Sequence, residues 1–170
     1  MVDAVADRDT PQPTRLSVII GLGFVVVLAA LCGLLGFRAE QARHDDDLRA
    51  RLVQAAKQGA VNLTTIDYRN AESDVARILD SSTGQFREEF ESRSAPFIDV
   101  VQKAKSTSVG TVTEAGLESL TGQQGQVLVS VTVKTVSNEK AEQQPRYWRM
   151  RMTVDQQPDG AKVSKVDFVP

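Results

Sequence analysis

An α+β domain behind one N-terminal membrane-spanning helix is the fold class this sequence predicts, and three observations predict it. Leu16–Phe37 is a run of 22 residues without a charge. From Leu48 to Lys105 apolar residues recur at helical spacing, and beyond Ser106 they recur at every second position. Helices followed by an antiparallel meander place the helices on one face of a curved four-stranded sheet.

The apolar run comes first in the chain. As a helix it reaches ~33 Å, close to the ~30 Å hydrocarbon thickness of a bilayer. A cleaved signal peptide has a shorter apolar core and a small-x-small site. Here the core is longer, and Arg38-Ala39-Glu40-Gln41-Ala42 after it is a poor site. Cys32 stands in the run after Ala29-Ala30-Leu31, but Leu31 is too large and Gly33-Leu34-Leu35 too apolar for a lipoprotein site. The run therefore reads as a retained span over 16–37, with Cys32 a small apolar residue in lipid. Residues 1–15, with Pro11, Pro13 and three aspartates, read as a disordered tail. Arg8 and Arg15 precede the span, whereas Arg38, Arg43, Arg49, Arg51 and Lys57 follow it. That bias favours the C-terminal side inside, but long folded domains translocate largely regardless of charge. One cysteine forms no disulfide within the chain, so redox compartment is silent.

Residues 38–47 are charged and read as a solvated helical stalk; the domain is expected over 48–170. Leu48, Leu52, Ala55, Ala56, Leu63 and Ile66 form one helical face with Gly59 and Ala60 between them. Gly59 costs about 1 kcal/mol against alanine inside a helix, so close packing of another element is expected there. A turn follows at Asp67–Asn70, then a short helix at Ala71–Leu79 with Val75, Ile78 and Leu79 inward. Ser81–Gly84 breaks the chain. Thr83 is placed to cap a third helix, Gln85–Ser92, bearing Phe86 and Phe90. Pro96 suits the first turn of a fourth, Pro96–Lys105, whose buried side is Phe97, Val100, Val101 and Ala104.

The first strand is expected over Thr107–Leu120, bulged at Gly116, with a turn at Gly122–Gly125. Val127, Val129, Val131 and Val133 then alternate with Leu128, Ser130, Thr132 and Lys134, and Ser137–Pro145 is a polar loop. In the third strand Tyr147, Arg149, Arg151 and Thr153 alternate with Trp148, Met150, Met152 and Val154. This puts Trp148 in the core under the helices, with Phe86 and Phe90 as partners. After a turn at Asp155–Gly160, Lys162–Val169 completes the sheet.

Chemistry is sparse. Two of the 20 Lys/Arg and three of the 22 Asp/Glu precede the span, leaving 18 and 19 after it. That balance lacks the basic excess of a nucleic-acid binder. With the only cysteine in the span and the only histidine, His44, in the stalk, thiol and Ser-His-Asp catalysis and most zinc sites fall away. His44 beside Asp45-Asp46-Asp47 is no metal cluster, because consecutive helical residues point in different directions. Glu88-Glu89 reads as an exposed helix face. Arg149 and Arg151 read as the outer face of a strand, the one place suited to an anion. Catalytic, cofactor-binding and metal residues are each expected to be none. Two non-enzymatic functions remain, a docking subunit and a lipid or small-hydrophobic-ligand carrier. With few aromatics to line a large pocket, docking is favoured.

The layout resembles the cone-shaped fold of the nuclear transport factor 2 family. Three stretches carry a closer likeness: Ser82-Thr83-Gly84-Gln85-Phe86-Arg87-Glu88-Glu89-Phe90, Tyr147–Val154, and Val163-Ser164-Lys165-Val166-Asp167-Phe168-Val169-Pro170. In these the chain resembles the Mce-associated membrane proteins of actinobacteria. The resemblance implies a non-catalytic accessory subunit of an Mce system, which imports lipids or sterols, with transporter subunits as partners. It also implies a domain on the outer, periplasmic side of the plasma membrane, against the Lys/Arg count. A retained anchor is directly testable: intact mass of membrane-purified protein should include the residues before Leu16, and a mature chain beginning at or after Cys32 refutes it.

Overall fold

The computed structural model describes residues 31–33, 45–138 and 144–170. The chain divides into two compact units, Met1–His44 and Asp45–Pro170. In the first, Leu31, Cys32 and Gly33 are helical and exposed. The tail, the rest of the 16–37 run and stalk residues 38–44, His44 included, lie outside the described residues, as do 139–143 of the polar loop. Among the described residues no helix is long and apolar enough to cross a membrane.

The second unit is an α+β domain. Its elements are α1 (45–64), β1 (Ile66–Asp67), α2 (Ala71–Asp80), α3 (Gly84–Lys103), β2 (Thr107–Thr121), β3 (Gln124–Val136), β4 (Arg146–Gln157) and β5 (Gly160–Phe168). The five strands form one antiparallel sheet in the order β1-β2-β3-β4-β5. Four strands were expected; the fifth is the pair Ile66–Asp67, which lies on Ser108 and Thr107. Thr64-Thr65-Ile66 are three β-branched residues in succession, poor in helices and good in strands. Ile66 accordingly leaves the helical face and joins the sheet.

The core is made where the two periodicities meet. Val127, Val129, Val131 and Val133 of β3 and Met150, Met152 and Val154 of β4 are buried against Leu52, Ala56 and Ala60 of α1, with Val163 of β5. Small residues let helix and sheet approach at three heights along α1. A Cβ on Gly125 would stand 3.0 Å from the Leu52 side chain. One on Gly59 would stand 2.8 Å from Val163 Cγ2, so the close packing expected there is present. One on Gly110 would stand 1.8 Å from Thr64 Oγ1 and 2.6 Å from its Cβ. Thr64 cannot swing away freely, because it is buried and its hydroxyl donates to Ala60 O at 2.6 Å. The adjoining Thr65 hydroxyl accepts the Gly110 N–H at 3.1 Å.

α2 buries Val75 and Ile78, as its spacing predicts, together with Ala71 and Asp74, while Leu79, also expected inward, is half-buried. The Asp74 carboxylate accepts the Asp67 N–H at 2.8 Å and pairs with Arg77 at 2.6 Å. After α2, Ser81–Thr83 runs beside β5, with Val163 N–H donating to Ser81 O and Thr83 N–H to Val163 O. Asn62 of α1, also buried, donates to the Ser81 hydroxyl at 3.2 Å.

Two expected helices are one. α3 runs unbroken from Gly84 to Lys103 with Pro96 inside it. An interior proline removes one helical hydrogen bond, commonly at a cost of about 3 kcal/mol or more. A stripe of aromatics recovers part of this: Phe86 and Phe90 lie 5.9 Å apart between ring centroids, and Phe90 and Phe97 lie 6.1 Å apart across the proline. No residue of α3 is fully buried. Val100, expected to face inward, is 63% exposed, while Phe97, Val101 and Ala104 are half-buried. Thr83 occupies the N-cap position without a capping bond; its hydroxyl accepts Gln157 Nε2 instead. β2 is bulged at Val112/Glu114 and Leu117/Ser119 rather than at Gly116.

The Gly110–Thr64 contact should be intolerant of any side chain. Gly110→Ala should lower stability in urea unfolding by about 3 kcal/mol, the upper end of ordinary overpacking. Gly116→Ala, whose Cβ meets nothing within 4 Å, should be near neutral.

Candidate functional site

The α1–sheet contact ends at Thr64, and beyond it α3 stands off the sheet over a cleft of about 210 Å³. Phe97 and Val101 of α3 form its roof, Leu63 and Ile66 one wall, and Val133 and Trp148 the floor. Thr64, Ser106, Ser108 and Thr135 add hydroxyls. Its lining carries no carboxylate, imidazole or amine. What it offers a visitor is dispersion surface and a few hydrogen bonds.

Trp148 shares a strand face with the buried Met150, Met152 and Val154, as the alternation predicts. Its expected depth is overturned: Trp148 is 36% exposed. The strand period fixes which face a side chain takes but not how far along the strand the helices cover it. Trp148 is the third residue of β4, opposite Val131, at the end of the sheet that α1 does not cover. Nor do Phe86 and Phe90 supply its aromatic contact. Trp148 packs edge-to-face on Phe168 with centroids 5.7 Å apart, and Phe168 is itself 67% exposed. Tyr147, on the other face, is 82% exposed.

The remaining sequence candidates lie outside the cleft. Glu88 and Glu89 are exposed, as expected. Arg151 reaches Glu118 through Nε at 2.6 Å and Nη2 at 2.9 Å, so its anion is a neighbouring side chain. That bond pulls the Glu118 carboxyl below its usual range. Arg149 Nη1 donates to Pro170 O at 2.9 Å. At the β1 end, the Arg69 guanidinium bonded to Asp67 holds that carboxyl down to about 2. The stabilisation from this pair is therefore present above the ordinary carboxylate range and fades as pH falls toward 2. Lys162 lowers Asp159 in the same way. Among the described residues no cluster of three His, Cys, Asp or Glu could hold a metal ion.

Helices on one face of an antiparallel sheet, with a cleft at its uncovered end, define an α+β protein of the nuclear transport factor 2-like type. The chain belongs to the family of uncharacterized proteins described as Rv1363c/MT1408-like, whose pattern matches residues 13–170. The uncharacterized protein Rv1363c of Mycobacterium tuberculosis (strain ATCC 25618 / H37Rv) is 38% identical over 159 residues, covering 92% of this chain. The chain spans 61% of that relative's length. Similar solved structures include an IcmL-like type IV secretion system protein from Legionella pneumophila, with TM-score 0.59 and 20% identity over 72% of this chain and 92% of that one. CagV, a VirB8 homolog from Helicobacter pylori strain 26695, has TM-score 0.56 and 12% identity over 71% and 97%. The periplasmic domain of DotI has TM-score 0.55 and 17% identity over 69% and 92%. At these identities the likeness is one of fold.

Sequence periodicity did not single out this cleft, because its lining comes from six elements and the turn between α3 and β2. The one signal pointing toward it was the tryptophan placed close to the start of its strand. The partial exposure of Trp148 sets an ordering of stabilities. Trp148→Ala should cost about 1–2 kcal/mol, below the range for a fully buried aromatic, whereas Met152→Ala should cost about 2–5 kcal/mol. Urea unfolding of both variants checks the order.

Proposed function

We propose that this protein is a membrane-anchored, non-catalytic accessory subunit that docks onto an envelope transport assembly. The observation that carries the reading is the cleft, which is mostly apolar, without titratable groups and lined by Trp148, whose ring packs on the exposed Phe168. Its 210 Å³ falls below the roughly 300–1,000 Å³ of sites that enclose a small molecule. Exposed aromatics beside a small cleft suit a surface that receives part of another protein.

The particular assembly is proposed to be an Mce-type lipid or sterol importer, on the resemblance carried by Ser82–Phe90, Tyr147–Val154 and Val163–Pro170. The span at 16–37 is the proposed anchor, and the domain is proposed to stand on the outer side of the plasma membrane. Solved proteins of similar fold include secretion system components and a periplasmic domain, which by analogy supports a role in an envelope complex. The mostly apolar lining of the cleft favours one second reading, a tethered carrier of a lipid or small hydrophobic ligand.

Full-length tagged protein, extracted from native membranes in mild detergent, should bring down Mce transporter subunits. A cysteine at Asp159 should react with an impermeant maleimide in intact spheroplasts. Recovery without any transporter subunit, together with saturable one-to-one lipid binding, would replace the docking subunit by the carrier; labelling only after lysis would reverse the topology.

A further inference from the structure

We propose that the cleft under the C-terminal half of α3 is the docking socket of this domain. Its occupant is an acidic protein segment that inserts one aromatic or branched aliphatic side chain beside Trp148. This inference rests on the docking reading and assigns it a surface and a partner chemistry.

Size, charge and position support it. A cleft of about 210 Å³ is on the scale of one bulky side chain. Such anchors dominate interfaces when they enter a pocket ringed by contacts that exclude water. Trp148 at the floor, packed edge-to-face on Phe168, gives such an anchor an aromatic surface to meet.

Two exposed cations adjoin the lining. Arg146 stands two residues before Trp148 on the same face of β4 and is exposed. Lys105 immediately precedes Ser106 of the cleft and is exposed, in a left-handed conformation with φ 44°. Neither joins an ion pair among the described residues, whereas the nearby carboxylates of Asp67 and Asp99 are paired with Arg69 and Lys103. Two cations unpaired among the described residues, beside a mostly apolar cleft, complement an acidic segment and oppose a basic one.

The mouth also lies at the far end of the domain from residue 45, where the chain enters it. Leu52 meets Gly125 near the start of α1, and Thr64 meets Gly110 at its end. A helix of this length separates the two ends by ~29 Å. The occupant thus comes from a protein that reaches the end of the domain remote from the entry point.

Trp148 is the only tryptophan and lines the cleft, so its fluorescence responds to an occupant there. Full-length protein in detergent would be titrated with an acidic pentapeptide, a central phenylalanine between pairs of aspartates. A saturable change is expected, at least tenfold weaker with alanine at the centre or with lysines as flanks. Arg146→Glu, with an unchanged melting midpoint, should weaken the acidic peptide at least tenfold and strengthen the lysine-flanked one. Equal responses to the three peptides, no response, or saturation by decanoate alone overturns the proposal. In native membranes Arg146→Glu and Val101→Asp should each reduce recovery of co-purified partners several-fold. Full recovery with both variants overturns this surface and leaves docking elsewhere on the protein. A wild-type protein that recovers no partner overturns the docking reading itself, and the peptide titration still decides the socket.

Discussion

The seating of α1 on the sheet is the constraint on which the rest of the domain depends. It is made by absence of side chain: Gly59 on the helix and Gly110 and Gly125 on the strands let the two surfaces meet at van der Waals distance. The energy comes from the large residues that this approach brings together, with Leu52, Met150, Met152 and four valines of β3 at or near zero exposure. Thr64 against Gly110 brings the Thr65 hydroxyl to the Gly110 N–H, and the next two residues are thereby aligned to pair as β1. Ile66 and Leu63, placed by that sequence of contacts, become a wall of the cleft.

Burial is graded along the domain as a result. Under α1 the sheet is sealed; past Thr64 its cover is α3, which contributes only half-buried rings and no fully buried residue. Opening a gap beneath α3 exposes less apolar surface than lifting α1 would. Local opening is cheapest where buried contacts are fewest. The sparsely buried region under α3 is also the region bearing the exposed aromatics, which suits a surface that must adapt to a partner.

Much of this was legible from residue order, and the misses have physical reasons. The alternation of Val127 through Val133 and of Trp148 through Val154 located two strands and their inner faces, because a half-buried sheet imposes a period of two. Gly59 was readable as a packing position because a helix interior has no local use for glycine. Gly110 was not, since its neighbour Thr64 lies in another element and nothing nearby in sequence announces it. β1 is too short for any period to register. Pro96 correctly signals a weak point in a helix, but the helix continues across it with Phe90 meeting Phe97, a side-chain contact that no local rule registers. The cleft was least legible, because it is a gap between elements and no local pattern encodes a gap.

The short run Ser81–Thr83 alongside Val163 has a consequence for how copies of this domain meet one another. It occupies part of the outer rim of β5, and β1 occupies the first two residues of β2. The length of β2 left bare is interrupted by two bulges and carries Glu114 and Glu118. Bulges and charges spoil the flat, evenly spaced ladder that strand-to-strand polymerisation requires. Two such domains pressed together at high local density lack a continuous backbone template through which to fuse. Association would run through side chains, and so would stay reversible and selective.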